Sequence, residues 1–512
     1  MTVALAAAAG ILHFLGFVGF GLWPLALVAF AVLWAALERG RRPALLGAVF
    51  GVVSYAGGFA WMWRIVDAFL GGNVLLGALL WGLDAGWFGL RYALYAVLYR
   101  LVRARGWPPA LAGVPTLVLI EWLFPMLFPV HLGHALGEQL ALVQIADLGG
   151  PLLLTALVGL LNAAAFEAWR WWRGAGRAPA TWTVATVALL ATVAYGLARI
   201  AALDAAVAAA PAMAVGIVQG NLGIQEKGAD ARRDHQRYLA QSRALLADGA
   251  VDLLIWPETV YARGLRGPLP VRGELIRDDL RVPLLFGGVL VHDDGSSRRV
   301  ANAAMLIEAD GGLRTAYEKN LLIPFTEYVP LADLLPEAVT ARFRSTSHFN
   351  AAAATPSLTL GTWRIATPIC YEAVRPAFVR RMVCDGDANL IVTLANDAWF
   401  GDSQEPALHL AMARMRAVEL RRFLVRATNT GISAVVDPVG RLVARGGLLT
   451  AENLRAPVAQ LQERSLYSRL GDWPGWLAGV ILAAAMMVPR GGPGRAEGVP
   501  RRAPLASVVN PK

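Results

Sequence analysis

The chain has 512 residues, 56% of them hydrophobic and only 16% charged, with 17 Trp and 2 Cys. Soluble domains carry about 25% charged residues, so a disordered chain, a coiled coil and a wholly soluble enzyme are excluded. Two Cys exclude a disulfide scaffold and a multi-Cys zinc fold. The net charge of +10 reads as loop charge of a membrane protein, not as nucleic-acid binding.

Residues 1–205 are nearly continuous apolar sequence broken by short Arg clusters. A helix needs about 20 apolar residues to cross a bilayer. Seven spans are expected, near 4–20, 22–38, 44–66, 73–99, 108–124, 149–169 and 181–203, and an eighth near 473–489. The opening MTVALAAAAG lacks the basic start of a cleavable signal and reads as a membrane helix. With a cytoplasmic N-terminus, the clusters at Arg39–Arg42, Arg100–Arg105, Arg170–Arg177 and Arg490–Arg502 all lie inside. That satisfies the positive-inside rule and puts residues 205–472 on the far side. Trp61, Trp63, Trp122 and Phe124 then sit at outer helix ends as an aromatic belt, with His131 and His134 on the same side. Asp84, near Trp81 and Arg91, is expected to be paired.

The middle of the chain reads differently. AMAVGIVQGN, VDLLIWPET, VPLLFGGVLV, RVANAAMLIEADG, WRIATPICYE, ANLIVTLANDAW and TGISAVVDPVGRLV each look like a buried strand ending in a turn. ARRDHQRYLAQSRALLADG and EPALHLAMARMRAVELRRF look like helices between them. Alternation of this kind predicts a layered α/β domain. The expected organisation is a membrane domain at 1–205, a soluble domain at 206–465, a last membrane helix at 466–490 and a disordered cytoplasmic tail at 491–512.

In open α/β sheets, working residues gather past the carboxyl ends of strands. Glu258 follows VDLLIWP, Lys319 lies in YEKNLLIPFTEYVP and Cys370 follows WRIATPI. A thiol nucleophile needs a base and a cation for the oxyanion, and these three side chains supply all three roles. Each also has a plainer use. A Cys after an apolar strand is most often a small buried hydrophobe. Glu258 serves equally as a helix cap, and Lys319 as a solvated loop charge. Cys384 has no reactive neighbour in sequence, and outside the cytoplasm the two Cys can also pair.

The flanks carry a resemblance. WPET at Glu258, EKNLLIPFTEYVP at Lys319 and PICYE at Cys370 resemble the three signature segments of the nitrilase superfamily. NDAWFG, HLAMARMRAVE, RATNTGISAVVDPVGRL, VQGN and GDWP are similar to its membrane-bound branch, the apolipoprotein N-acyltransferases. The resemblance covers nearly the whole chain. It implies eight membrane helices, an αββα sandwich inserted before the last, and a Glu258–Lys319–Cys370 triad.

The implied reaction passes a fatty acyl chain from a membrane phospholipid, through a thioester on Cys370, to the N-terminal amine of a diacylglyceryl-cysteine apolipoprotein. It implies no cofactor and no metal. The implied location is the bacterial inner membrane, with the catalytic domain on the periplasmic side. Glu327 is expected to hold Lys319 or the acceptor amine, or to be a loop carboxylate. Tyr371 supplies a backbone N–H to the oxyanion. Glu372 orients the site or caps a helix. Asn302 lines the site or a turn. Trp399 and Phe400 form an apolar wall or lid, or ordinary core. One departure is Gly228, where the family commonly has Trp after VQGN; it bears on substrate contacts. A membrane-tethered amidase passing its acyl group to water and an inactive nitrilase-like scaffold are the competing readings.

Overall fold

The computed structural model describes residues 1–63, 73–174, 180–223, 230–266, 269–293, 298–331, 334, 337 and 349–487. Gly228, the end of the third expected span and the tail at 491–512 lie outside them. Among the described residues, the longer helices before the first strand are α1 (Thr2–Leu15), α2 (Ala26–Arg39), α3 (Pro43–Gly58), α4 (Val74–Ala104), α5 (Pro109–Leu123), α6 (Ala146–Trp172) and α7 (Ala180–Ala209). Among the described residues, α4, α6 and α7 are long and apolar enough to cross a membrane. Helices α1, α3 and α5 are shorter and apolar.

Several polar side chains inside this bundle bond across helices. The Asn162 amide of α6 enters the ladder of α2, donating to Ala26 O and accepting from Phe30 N, each at 2.9 Å. Where few competing partners exist, such side-chain bonds fix helix against helix. Tyr55, not Arg91, is the partner of Asp84: its hydroxyl donates at 2.5 Å, while Arg91 turns to Glu121 at 3.9 Å. The expected aromatic belt is only partly present. Trp63 is exposed, but Trp61 is buried against Phe128 and Phe400. His131 and His134 are also buried, and His131 bonds Glu121 at 3.3 Å. The segment after α5 folds back under the soluble domain, which removes these side chains from the lipid boundary.

Helix α7 runs on to β1 (Ala212–Gln219), the start of a mixed sheet. Its other strands are β2 (Leu253–Ile255), β3 (Tyr261–Arg266), β4 (Val271–Arg272), β5 (Leu284–Asp293), β6 (Arg298–Ile307), β7 (Gly312–Glu318) and, at the far edge, the late strand Glu452–Ala459. A second sheet holds β8 (Leu358–Leu360), β9 (Trp363–Ala366), β10 (Leu390–Ala395), β11 (Phe423–Thr428), β12 (Ala434–Val436) and β13 (Leu442–Arg445). The late strand is β14.

Alternation of side chains builds the layers. Val215, Ile217, Leu253, Ile255 and Leu285 pack with Ile365, Leu390 and Leu424 of the second sheet. Val218, Leu254, Trp256 and Phe286 face the other way, against Tyr238 and Leu239 of α8 (Ala231–Ala247). Helices α9 (Pro376–Asp385) and α10 (Glu405–Leu420) pack with the second sheet. The result is an αββα sandwich. The expected strands at β1, β2, β5, β6, β9 and β10 are present. TGISAVVDPVGRLV is not one strand but the β12–β13 pair around the Asp437–Gly440 turn, where Asp437 accepts from Arg441 N at 2.8 Å.

The final helix α11 (Trp473–Met487) is a short apolar helix packed on α5. The sandwich is fixed to the bundle by buried polar ties. Arg421 lies 2.7 Å from Asp147 of α6 and donates to Gln144 Oε1 at 2.6 Å. A partly buried bond from Gln404 Nε2 to Val18 O at 3.0 Å adds a second tie. The helix layer under the second sheet therefore rests on the membrane helices.

Candidate active site

Glu258 lies past the end of β2. Its loop is pressed onto β5: the Gly287 N–H donates to Pro257 O at 3.1 Å. A Cβ at Gly287 would come within 2.6 Å of Glu258 Cα, so only glycine allows this approach. Asn302 on β6 donates to Glu258 Oε1 at 2.7 Å and reaches Glu327 Oε1 at 3.3 Å. Lys319, one residue past β7, puts Nζ 2.7 Å from Glu327 Oε1 and 3.4 Å from Glu258 Oε1. Glu327 is fixed in turn, accepting from Ile323 N at 2.9 Å. All four side chains are buried. Burial alone would push the Lys319 ammonium toward neutrality, but the Glu327 and Glu258 carboxylates outweigh it and hold its pKa above the ordinary value.

Cys370 opens a 3-10 turn, Cys370–Val374, after Ile369 bridges to Leu394 of β10. Its φ is +50°, a left-handed conformation that a non-glycine residue keeps only where its surroundings hold it. The thiol is buried. Burial raises its pKa well above the ordinary value, the Glu258 charge adds to this, and Lys319 opposes it. A resting thiol so placed is protonated and needs a base.

Glu372 braces the nucleophile loop against the lysine loop. It accepts from Ile369 N at 2.8 Å, from Tyr317 OH and Asn320 N at 2.7 Å, and from Leu321 N at 2.9 Å. Burial lifts it to about 7, against the pull of Lys319 and these donors.

Tyr371 and Phe400 face the membrane domain. The Tyr371 ring is 5.9 Å from that of Phe128, with Arg375 over its face. Arg375 also donates to Met126 O at 3.0 Å. Phe400 is buried against Trp61 at 5.4 Å, whereas Trp399 is 36% exposed. Phe400 is thus part of a wall shared with the bundle, and Trp399 stands at the surface. Cys384 does not pair with Cys370; its Sγ faces Ser468 O at 3.4 Å.

Sequence reasoning missed a buried cluster behind the nucleophile. His409 of α10 places Nε2 3.3 Å from Cys370 O and Nδ1 3.1 Å from Asp397 Oδ1. Arg426 of β11 holds Asp397 Oδ2 at 2.7 Å. A Cβ at Gly431 would fall 2.0 Å from that oxygen, so glycine is required beside it. Asp397, Glu405 and His409 each offer one ligand atom within 4.8 Å of the others. Arg426 already supplies the cation that Asp397 needs. The motifs NDAWFG and HLAMARMRAVE contain these residues, but in sequence a lone His on an apolar helix face gives no sign of its partner.

The chain is similar to known proteins along most of its length. The apolipoprotein N-acyltransferase N-terminal domain model matches residues 9–164, and the carbon-nitrogen hydrolase model matches residues 279–463. The chain is 32% identical to the apolipoprotein N-acyltransferase of Geobacter metallireducens, covering 94% of each. It is 33% identical to that of Azotobacter vinelandii, covering 93% of each. Against that of Pseudomonas aeruginosa it is 31% identical, covering 94% of this chain and 95% of the relative. Among solved structures, Saccharomyces cerevisiae Nit3 of the nitrilase superfamily matches 48% of this chain and 90% of its own, at 17% identity and a TM-score of 0.38.

Proposed function

The chain belongs to the apolipoprotein N-acyltransferase family, and from that premise we infer how its own residues carry out lipoprotein N-acylation. The observation that carries the reading is the buried set of Glu258, Asn302, Lys319 and Glu327 close to the buried Cys370 thiol, on a sandwich seated against apolar helices.

Glu258 Oε1 is committed to Asn302 and Lys319. Glu258 takes the Cys370 proton. Sγ attacks the ester carbonyl of a membrane phospholipid, and a C–S bond forms as negative charge moves to the carbonyl oxygen. Lys319 and the Tyr371 N–H receive that charge. The first N–H groups of a helical turn have no partner within the turn, which suits Tyr371 to this role. The ester C–O bond breaks, Glu258 returns the proton to the departing lysophospholipid oxygen, and a thioester remains. The N-terminal amine of a diacylglyceryl-cysteine lipoprotein then attacks. A C–N bond forms, the C–S bond breaks, and Glu258 takes the amine proton and passes it to the departing Cys370 sulfur.

The carboxylate pair does more than balance Lys319. It holds the ammonium in one place, so the charge that stabilises the oxyanion needs no reorganisation. Tyr371, Phe128, Phe400 and Trp61 form an apolar wall where acyl chains enter from the bilayer. Both substrates are lipids, which accounts for a catalytic domain resting on membrane helices. The Arg clusters support a position of that domain on the periplasmic face of the inner membrane.

The test is transfer of a labelled acyl chain from phospholipid to a diacylglyceryl lipopeptide in detergent. Amide-linked label appears with the wild type and not with Cys370→Ala. Transfer by that variant at near the wild-type rate would overturn the covalent route.

A further inference from the structure

We infer that His409, braced by Asp397 and Arg426, is a positioning residue that aims the oxyanion donor from behind the nucleophile. This rests on the Tyr371 N–H being that donor. The peptide joining Cys370 to Tyr371 is one planar unit, and in a trans peptide its carbonyl and N–H point in opposite directions. His409 Nε2 lies 3.3 Å from the carbonyl oxygen of that unit. A side chain that holds one end fixes where the other end points. The hold is needed because Cys370 stands at φ +50°. It also acts electronically: a carbonyl that accepts a hydrogen bond polarises its peptide and makes the N–H a stronger donor.

The brace is rigid and dry. His409 is 1% exposed, and Asp397 and Arg426 are equally buried. The line runs from Arg426 to Asp397 at 2.7 Å, to His409 at 3.1 Å, and on to the peptide. Each ring nitrogen of His409 faces an acceptor, so a single hydrogen cannot serve both. Glu405 lies 3.6 Å from Nδ1, and neither of its oxygens has a hydrogen-bond partner. Burial, then the neighbouring Asp397 charge, keep this carboxyl protonated well above its ordinary range. A purely structural helix histidine would need none of this alignment on the nucleophile's own peptide.

The experiment separates oxyanion stabilisation from thiol reactivity. Acyl-enzyme formation from phospholipid, transfer to a lipopeptide amine, and alkylation of Cys370 by iodoacetamide are measured for His409→Leu, His409→Gln and Asp397→Asn. Alkylation is a displacement that develops no oxyanion. The expected result for His409→Leu is that acylation and transfer slow by the same factor. That factor is about tenfold or more, short of the ~10²–10³ seen when a donor is removed outright. Donor KM and alkylation stay within about twofold. His409→Gln keeps an N–H and retains more activity. Asp397→Asn, which is isosteric, shows the same pattern with a smaller factor and stands in if His409→Leu does not fold. Alkylation falling in step with acylation, or acylation unchanged in folded variants, would overturn the inference. A wild-type enzyme that forms no adduct on Cys370 would instead defeat the underlying acyl-transfer reading.

Discussion

Lys319 Nζ is closer to Glu327 than to Glu258, 2.7 Å against 3.4 Å. The shorter bond goes to the carboxylate that takes no part in proton transfer, so Glu327 anchors the ammonium and leaves Glu258 able to change its charge. Glu327→Gln keeps the volume and removes the anchor. A loss of about 10² in the rate of acylation is expected, the scale of weakening one oxyanion stabiliser. Donor KM should change little, because the lysine acts on the transition state. Pre-steady-state acylation kinetics check this. An unchanged acylation rate would return Glu327 to the role of a loop carboxylate.

The second prediction concerns pH. Burial and the Glu258 charge hold the Cys370 thiol above its ordinary pKa. Below a thiol's pKa, each unit rise in pH raises its thiolate fraction about tenfold, and the thiolate is the nucleophile. Iodoacetamide alkylation of the lipid-free enzyme should therefore keep accelerating through pH 9. A plateau near pH 7 would mean that a thiolate–ammonium pair with Lys319 exists before substrate binds, and that no base is needed. Glu258→Gln should slow acylation at neutral pH, and a normal acylation burst from it would show that another group takes the proton.

The third concerns the seam between the two parts. Arg421 and Asp147 form a buried ion pair at 2.7 Å, and Tyr195 and Arg199 also bond Asp147. Removing one member of a buried pair typically costs about 3–5 kcal/mol, because the other charge is left uncompensated. Asp147→Asn should lower the thermal unfolding midpoint in detergent and reduce specific activity in proportion to folded enzyme. Wild-type stability in that variant would show that the remaining contacts suffice to seat the domain.

Much of this was legible in the sequence because it is written in local pattern. Glu258 and Cys370 each follow an apolar strand, Lys319 lies beside an apolar run, and their flanks carry the family's motifs. The strands that pattern exposed, such as β1, β5 and β10, are those buried on both faces. Edge strand β14 was not found: ENLRAPVA mixes charge with Pro, and it is a strand because β1 offers it a partner. β11 was hidden because FLVRAT follows directly on a helical stretch and its Arg426 is buried by Asp397. The burial of Trp61, His131 and His134 depends on a segment folding back under the second domain, which hydropathy does not report. The Asp397–His409 brace joins residues twelve apart through a turn, and only the fold gives them a common target.

The most direct test of the account is intact-protein mass spectrometry of purified enzyme mixed with phospholipid and no acceptor, with peptide mapping before and after neutral hydroxylamine. The predicted result is one fatty-acyl mass on Cys370 that hydroxylamine removes, absent from Cys370→Ala. An adduct at another residue, or lipid consumed with free fatty acid and no adduct, would contradict it; the latter result would mark the protein as a hydrolase.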